Sequence, residues 1–201
     1  KNIKIAFDEW NTYVEATPPY FIENYNIADA IYAASLLNGC INRGDIITNT
    51  GIYHLINVMG NYRIEKKKIW KTPTTLVLEL YTKFHKGKIL KSVVNSSNFV
   101  SFKLGKQPEY KNNKLIDSAV TMNGKHMCMS VVNKSSSEKI LLKVPYLDRI
   151  AENYCIEGSN KVDLNTYENT SRVKIKKNSL KTSKRFLILP PHSISVVIFN
   201  I

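Results

Sequence analysis

The chain has 201 residues, 43% of them hydrophobic and 22% charged, a globular composition with room for one large domain or two small ones. No uninterrupted apolar run reaches the ~18 residues that a membrane span needs, so no membrane partner is expected. The formal charge of +13 would suit nucleic acid, but only five of the 29 basic residues are Arg, the residue that groove readers favour for its bidentate geometry, so solvated surface and no nucleic-acid partner is the reading.

The first predicted element is a strand. Ile3, Ile5 and Phe7 alternate with Lys4 and Ala6, and the run then breaks into Asp8-Glu9-Trp10-Asn11. Two carboxylates and an indole at the end of a strand expected to be buried need an explanation, because a buried charge is costly unless it is paired or used. Strand ends are also where barrel and open-sheet α/β enzymes keep catalytic groups. On the residues alone, a cap or a pairing with a neighbouring lysine remains the plainer alternative. Lys1 leads straight into this strand pattern with no signal peptide, so the sequence is expected to open inside a fold.

Thr17-Pro18-Pro19 predicts a loop. Asn26, with Asp29 three residues on, predicts a helix start, and Ile27, Ile31, Ala34, Leu37 and Ile41 keep helical spacing until Gly44. Asp45 to Asn49 reads as a short strand, and the apolar stretch from Ile52 to Met59 as a short helix around His54. Thr72-Pro73 supplies the cap and first turn of another helix, with Leu76, Val77, Leu80, Tyr81 and Phe84 as its stripe and Gly87 as its close. Strand, helix, strand, helix is the rhythm of parallel β/α units.

Beyond Lys88 the rhythm changes to short strands with turn residues between them, which predicts an antiparallel sandwich. Leu115 to Met122 and Lys125 to Asn133 flank Asn123-Gly124, a strong hairpin signal. In the last strand Ile194, Val196 and Ile198 alternate with Ser193, Ser195 and Val197, so one packed face is expected. The three cysteines, Cys40, Cys128 and Cys155, are far apart and read as buried thiols, which favours the cytoplasm. His85, His126 and His192 lack metal-ligand spacing, and no phosphate loop or nucleophile elbow occurs. No cofactor is expected.

Phe7-Asp8-Glu9-Trp10-Asn11 resembles a central motif of family 51 of the glycoside hydrolases, mainly α-L-arabinofuranosidases. Tyr25-Asn26-Ile27-Ala28-Asp29-Ala30, Tyr53-His54-Leu55-Ile56-Asn57-Val58, Thr72-Pro73-Thr74-Thr75 and Val131-Val132-Asn133-Lys134 resemble later segments of that family in the same order. The resemblance implies an α/β plus all-β protein. Residues 1–87 would be the last two β/α units of a (β/α)8 TIM barrel, and residues 88–201 a C-terminal, antiparallel, jelly-roll-like β-sandwich.

It also implies a retaining glycosidase that releases α-L-arabinofuranosyl residues, with an arabinose-containing oligosaccharide or polysaccharide as its partner. Glu9 matches the nucleophile, and Trp10, Asn11, Tyr13 and His54 fall at positions expected to bind substrate or support the turn. A retaining site needs a second carboxylate ~5–5.5 Å from the nucleophile. The family's acid, a Glu after an Asn on an earlier strand, has no match here, and Asp8 is expected on the opposite strand face. A whole barrel needs on the order of 250 residues. The expected partner is therefore the missing N-terminal barrel portion or a second polypeptide, and a homo-oligomer is compatible with this. The competing reading is a non-catalytic sugar- or protein-binding β-sandwich module.

Overall fold

The computed structural model describes residues 3–12, 24–183 and 185–201. Strand β1 (Ile5–Trp10) is followed by helix α1 (Ile27–Asn42), strand β2 (Ile47–Ile52), the hairpin β3 (Tyr62–Glu65) and β4 (Lys68–Lys71), and helix α2 (Pro73–Phe84). Then come β5 (Lys88–Leu90), β6 (Asn98–Ser101), β7 (Tyr110–Lys114), β8 (Ile116–Asn123), β9 (His126–Asn133) and β10 (Ile140–Lys143). The chain closes with β11 (Ile150–Glu157), β12 (Ile175–Lys177), β13 (Lys181–Ser183), β14 (Phe186–Leu189) and β15 (Ser193–Asn200).

Both helices start where local chemistry says they should. The Asn26 side chain accepts from the Ala28 and Asp29 amides while Asp29 accepts from the Asn26 amide, a reciprocal capping box. Thr72 caps α2, with Pro73 in the first turn. Gly87 has φ +79°, and a Cβ there would lie 2.3 Å from the Met122 carbonyl oxygen, so only glycine lets the chain leave α2 and lie against β8.

The centre is a six-stranded antiparallel sheet in the order β12-β11-β15-β9-β8-β5. Ile194, Val196 and Ile198 of β15 pack with Ile27, Ala30, Ala34, Val77 and Leu80 of the two helices. Val197 and Phe199 pack on the other face with Leu187 and Leu189 of a three-stranded sheet, β10-β14-β13. The last strand is thus buried on both faces, not on one. Its serines escape the pattern because their hydroxyls find partners: Ser193 donates to the Pro190 carbonyl at 2.7 Å and Ser195 faces the Cys155 sulfur at 3.8 Å.

The helices are bolted to this sheet across the 87/88 position. Tyr81 and Ser130 hydroxyls both donate to Asn38 Oδ1, at 2.8 and 2.6 Å, in a fully buried network. Asn42 donates to the Ser118 carbonyl at 2.9 Å, and the first amides of α1 reach the Asp163 and Lys161 carbonyls.

Four local expectations change. The stretch from Ile52 to Met59 is not a helix: Asn57 and Val58 have φ +48° and +46°, which breaks any helical run, and Leu55 and Asn57 instead exchange backbone bonds with Tyr62. The strand expected from Asp45 runs from Ile47 to Ile52, because Arg43 and Gly44 still complete the end of α1. In the β8–β9 hairpin Asn123 pairs with His126, so the turn residues are Gly124-Lys125, with Gly124 at φ +58°. Lys66-Lys67-Lys68 is the tip of the unforeseen β3–β4 hairpin, where Lys66 and Lys68 lie over the Tyr167 ring at 5.2 and 4.3 Å. Cys40, Cys128 and Cys155 are free and buried, as expected, and burial pushes the Cys128 and Cys155 thiols up to about 12.

Candidate active site

The candidate site lies at the C-terminal end of β1, which pairs with β2 in parallel. This strand departs from expectation: only Trp10 is buried, and Ile5 and Phe7 remain 48% and 38% exposed. The reason is topological. β1 and β2 form a two-stranded sheet of their own, so the described residues add no further strand beyond this pair.

The break after Glu9 is held from several sides. Trp10 sits in the helix core, and its indole N–H donates to Thr50 Oγ1 at 2.7 Å on β2. Its carbonyl accepts from the Tyr53 amide at 3.0 Å. Asn11 donates to the carbonyls of Tyr53 and Met59, the latter at 3.0 Å, and accepts from the Thr12 amide at 2.9 Å. Thr12 in turn donates to Asp29 at 2.7 Å, whose other oxygen completes the cap of α1. One carboxylate thereby ties the end of β1 to the start of the following helix. Gly51 completes the cradle: a Cβ there would lie 3.2 Å from the Asp8 carbonyl oxygen.

Asp8 and Glu9 are both exposed, and among the described residues neither carboxylate has a hydrogen-bond or ion-pair partner. The capping and lysine-pairing alternative therefore finds no support. Trp10 and Asn11 have their polar groups committed to the chain itself, so they position the turn. His54 is half-buried after β2, its ring 3.7 Å from that of Tyr53 and its carbonyl accepting from Asn61 at 2.9 Å. Tyr13, like Thr17-Pro18-Pro19, lies outside the described residues.

Sequence reasoning placed Asp29 in the cap but missed its second role as the tether of Thr12, and it missed Thr50 and Met59. Contacts across 40 and 48 residues leave no local trace. Nor was the strain at Asn57 and Val58 legible. A β-branched residue at positive φ is an outlier, and here it sits beside the Met59 carbonyl that receives Asn11. Among the described residues no three His, Cys, Asp or Glu side chains are grouped to hold a metal.

A family model described as the α-L-arabinofuranosidase C-terminal domain matches residues 8–193. The chain belongs to this family. An intracellular exo-α-(1→5)-L-arabinofuranosidase of Streptomyces lividans is 24% identical over an alignment of 191 positions that covers 86% of this chain and 28% of that protein. An α-L-arabinofuranosidase of Thermotoga maritima, solved as an arabinose complex, superposes with a TM-score of 0.86 at 24% identity, over 98% of this chain and 43% of that one. A family 51 α-L-arabinofuranosidase of Thermotoga petrophila RKU-1 gives 0.85 at 25% identity, again over 98% and 43%. The resemblance to the C-terminal part of family 51 enzymes is thus borne out. The chain spans less than half the length of these relatives.

Proposed function

We propose that this chain is the C-terminal part of a retaining α-L-arabinofuranosidase and that Glu9 is its nucleophile. In this reading residues 1–87 are the last two β/α units of a (β/α)8 barrel, and residues 88–201 are its jelly-roll-like sandwich. The observation that carries the reading is the placement of Glu9. It is an exposed carboxylate at the C-terminal end of a strand in a parallel pair, followed at once by a Trp10-Asn11 turn fixed by five hydrogen bonds. Catalytic groups of barrels occupy that end of their strands.

The chemistry divides between this chain and the rest of the enzyme. Glu9 attacks the anomeric carbon and forms the glycosyl-enzyme ester while a second carboxylic acid protonates the departing glycosidic oxygen. That second group then draws a proton from water, which releases arabinose and restores Glu9. The acid belongs to the polypeptide outside these residues. Trp10 and Asn11 hold the Glu9 turn, and His54 and Tyr13 are the proposed sugar-facing residues. The substrate is an arabinose-containing oligosaccharide or polysaccharide, as the names of the relatives suggest. The intracellular description of the Streptomyces lividans relative supports a cytoplasmic location.

A sugar-binding sandwich gains little support. Tyr154 is buried against Phe84 at 4.7 Å and Tyr167 is covered by lysines, while the exposed Tyr110, on β7, and Tyr146, in the turn before Leu147, stand on separate elements and form no shared platform. The test is turnover of an aryl α-L-arabinofuranoside by the 201-residue chain alone, by the longer natural polypeptide, and by both carrying Glu9→Ala. We expect activity only in the longer protein, and its loss on substitution. Turnover by the isolated chain that Glu9→Ala abolishes would show that the second carboxylate is present here after all.

A further inference from the structure

The connection between β11 and β12 runs from residue 158 to residue 174 without a helix or strand. That exceeds the ~12–15 residues beyond which an irregular segment usually has a task. Surface loops rarely bury polar side chains, yet Asp163 and Asn165 are 5% and 6% exposed. Asn165 fixes the outgoing half: it donates to the Lys71 and Val173 carbonyls, both at 2.9 Å, and accepts from the Val173 amide at 2.7 Å. Asp163 fixes the incoming half. One carboxylate oxygen accepts from the Ser159 amide and hydroxyl at 2.7 and 2.8 Å and from the Asn160 amide at 3.1 Å; the other meets Arg172 at 2.6 Å. Gly158 fits beside this turn because it lacks a Cβ, which would lie 3.0 Å from the first of those oxygens.

The clasp faces the start of α1. It presents the Asp163 carbonyl to the Ile27 amide at 3.1 Å and the Lys161 carbonyl to the Ala28 amide at 3.0 Å. A helix leaves these first donors without partners of its own, and Ile27 is fully buried, so water does not replace the loop there. Asp29, in the same first turn, accepts from the Asn26 amide at 2.8 Å with one oxygen and from the Thr12 hydroxyl at 2.7 Å with the other. Thr12 adjoins the Trp10-Asn11 turn, so an unbroken run of short contacts leads from the sandwich loop to Glu9. We propose that Asp163 is a positioning residue of the Glu9 site: by holding residues 158–163 against the first turn of α1, it fixes Asp29 and Thr12 and, through them, the turn that follows Glu9. This rests on the reading of Glu9 as the nucleophile. Such a site must keep two carboxyl groups ~5–5.5 Å apart, and a displacement of about 1 Å can cost ~10²-fold in rate. A loop that only caps the helix would leave the Glu9 turn indifferent to Asp163.

Two measurements separate these cases. In the 201-residue chain, amide hydrogen exchange is followed at Ile27 and Ala28, which read the clasp, and at Tyr53, whose amide donates to the Trp10 carbonyl and reads the Glu9 turn. Asp163→Ala should speed exchange at all three at least tenfold relative to Val131 on β9, which reports global opening. Ser159→Ala removes a single bond of the clasp and should give at least threefold, which keeps the test decisive where Asp163→Ala does not fold. Faster exchange at Ile27 and Ala28 with no change at Tyr53 would overturn the inference and leave a helix cap only. In the longer polypeptide proposed above, turnover of an aryl α-L-arabinofuranoside is counted per folded enzyme. Asp163→Ala should lower kcat at least tenfold with KM within threefold, and Thr12→Val should act in the same way. The double variant should lose no more than the worse single one, because both break one chain of contacts. Multiplied losses, or an unchanged kcat, would overturn the inference. Turnover that survives Glu9→Ala would instead sink the nucleophile reading, and the exchange result would still decide whether Asp163 holds the turn.

Discussion

Strands β15 and β1 carry similar apolar content and meet opposite fates. β15 lies fourth from one edge and third from the other of six strands, between two helices and a second sheet, and only Asn200 of its eight residues is exposed. Among the described strands β1 has one neighbour, and five of its six residues are exposed. The described residues therefore contain a self-sufficient core next to a strand pair whose apolar side chains they leave largely uncovered. All-parallel sheets are stable almost solely when both faces are buried. The candidate site sits on the half that lacks cover, anchored to the half that has it by Trp10 and Asp29.

The sharpest way to break this contrast is to truncate one aromatic on each strand. Phe199→Ala should cost about 3–5 kcal/mol in urea unfolding, as expected for a fully buried Phe. Phe7→Ala should cost less than about 1 kcal/mol in the same chain. Equal losses would mean that β1 is covered by residues of this chain after all. Next in size is Asn38→Ala, which removes the nearer acceptor of the buried Tyr81 and Ser130 hydroxyls, leaves them only the Ala34 and Ala119 carbonyls at 3.3 and 3.4 Å, and should cost about 1–3 kcal/mol. Because that network joins α1 and α2 to β9, a single cooperative unfolding transition is expected for the helices and the sheet. Two transitions would show that the anchored half folds separately.

A pH measurement probes the same joint. His85, at the end of α2, contacts Thr121 on β8 at 3.2 Å, and burial pushes its imidazole down to about 4. The folded protein then holds fewer protons on this ring than the unfolded chain between about pH 4 and the ordinary histidine value near 6.5. Stability is full above that window, falls as pH drops through it, and levels off below it, by no more than about 3.4 kcal/mol. His85→Gln should remove this slope from urea midpoints between pH 7 and 4; an unchanged slope would place the titration elsewhere. The smallest effect is expected at the site itself. Glu9→Gln should leave the urea midpoint unchanged within about 0.5 kcal/mol, because its carboxylate has no described partner.

The sequence was most readable where structure is set locally. The Asn26–Asp29 cap, Thr72-Pro73, and the hairpin at Gly124 each depend on residues a few positions apart. It was least readable where distant contacts decide. Only one face of the last strand read as packed, because the partners of Ser193 and Ser195 are invisible in a period-2 pattern. The apolar stretch around His54 read as a helix because nothing in it announces the positive φ at Asn57 and Val58. Glu9 stood out through the motif around it, whereas the residues that hold its turn, Thr50 on β2 and the Met59 carbonyl, emerged only with the fold.

The central claim is that Glu9 forms the covalent intermediate of a completed enzyme. It is tested most directly by exposing the longer polypeptide proposed above to an activated aryl 2-fluoro-α-L-arabinofuranoside, which slows release of the sugar ester, and locating the label by peptide mass spectrometry. The account predicts one fluoro-arabinosyl group on Glu9, absent from the Glu9→Gln protein and from the 201-residue chain treated alone. A label on any other carboxylate, or turnover that persists unaltered in Glu9→Gln, would contradict it.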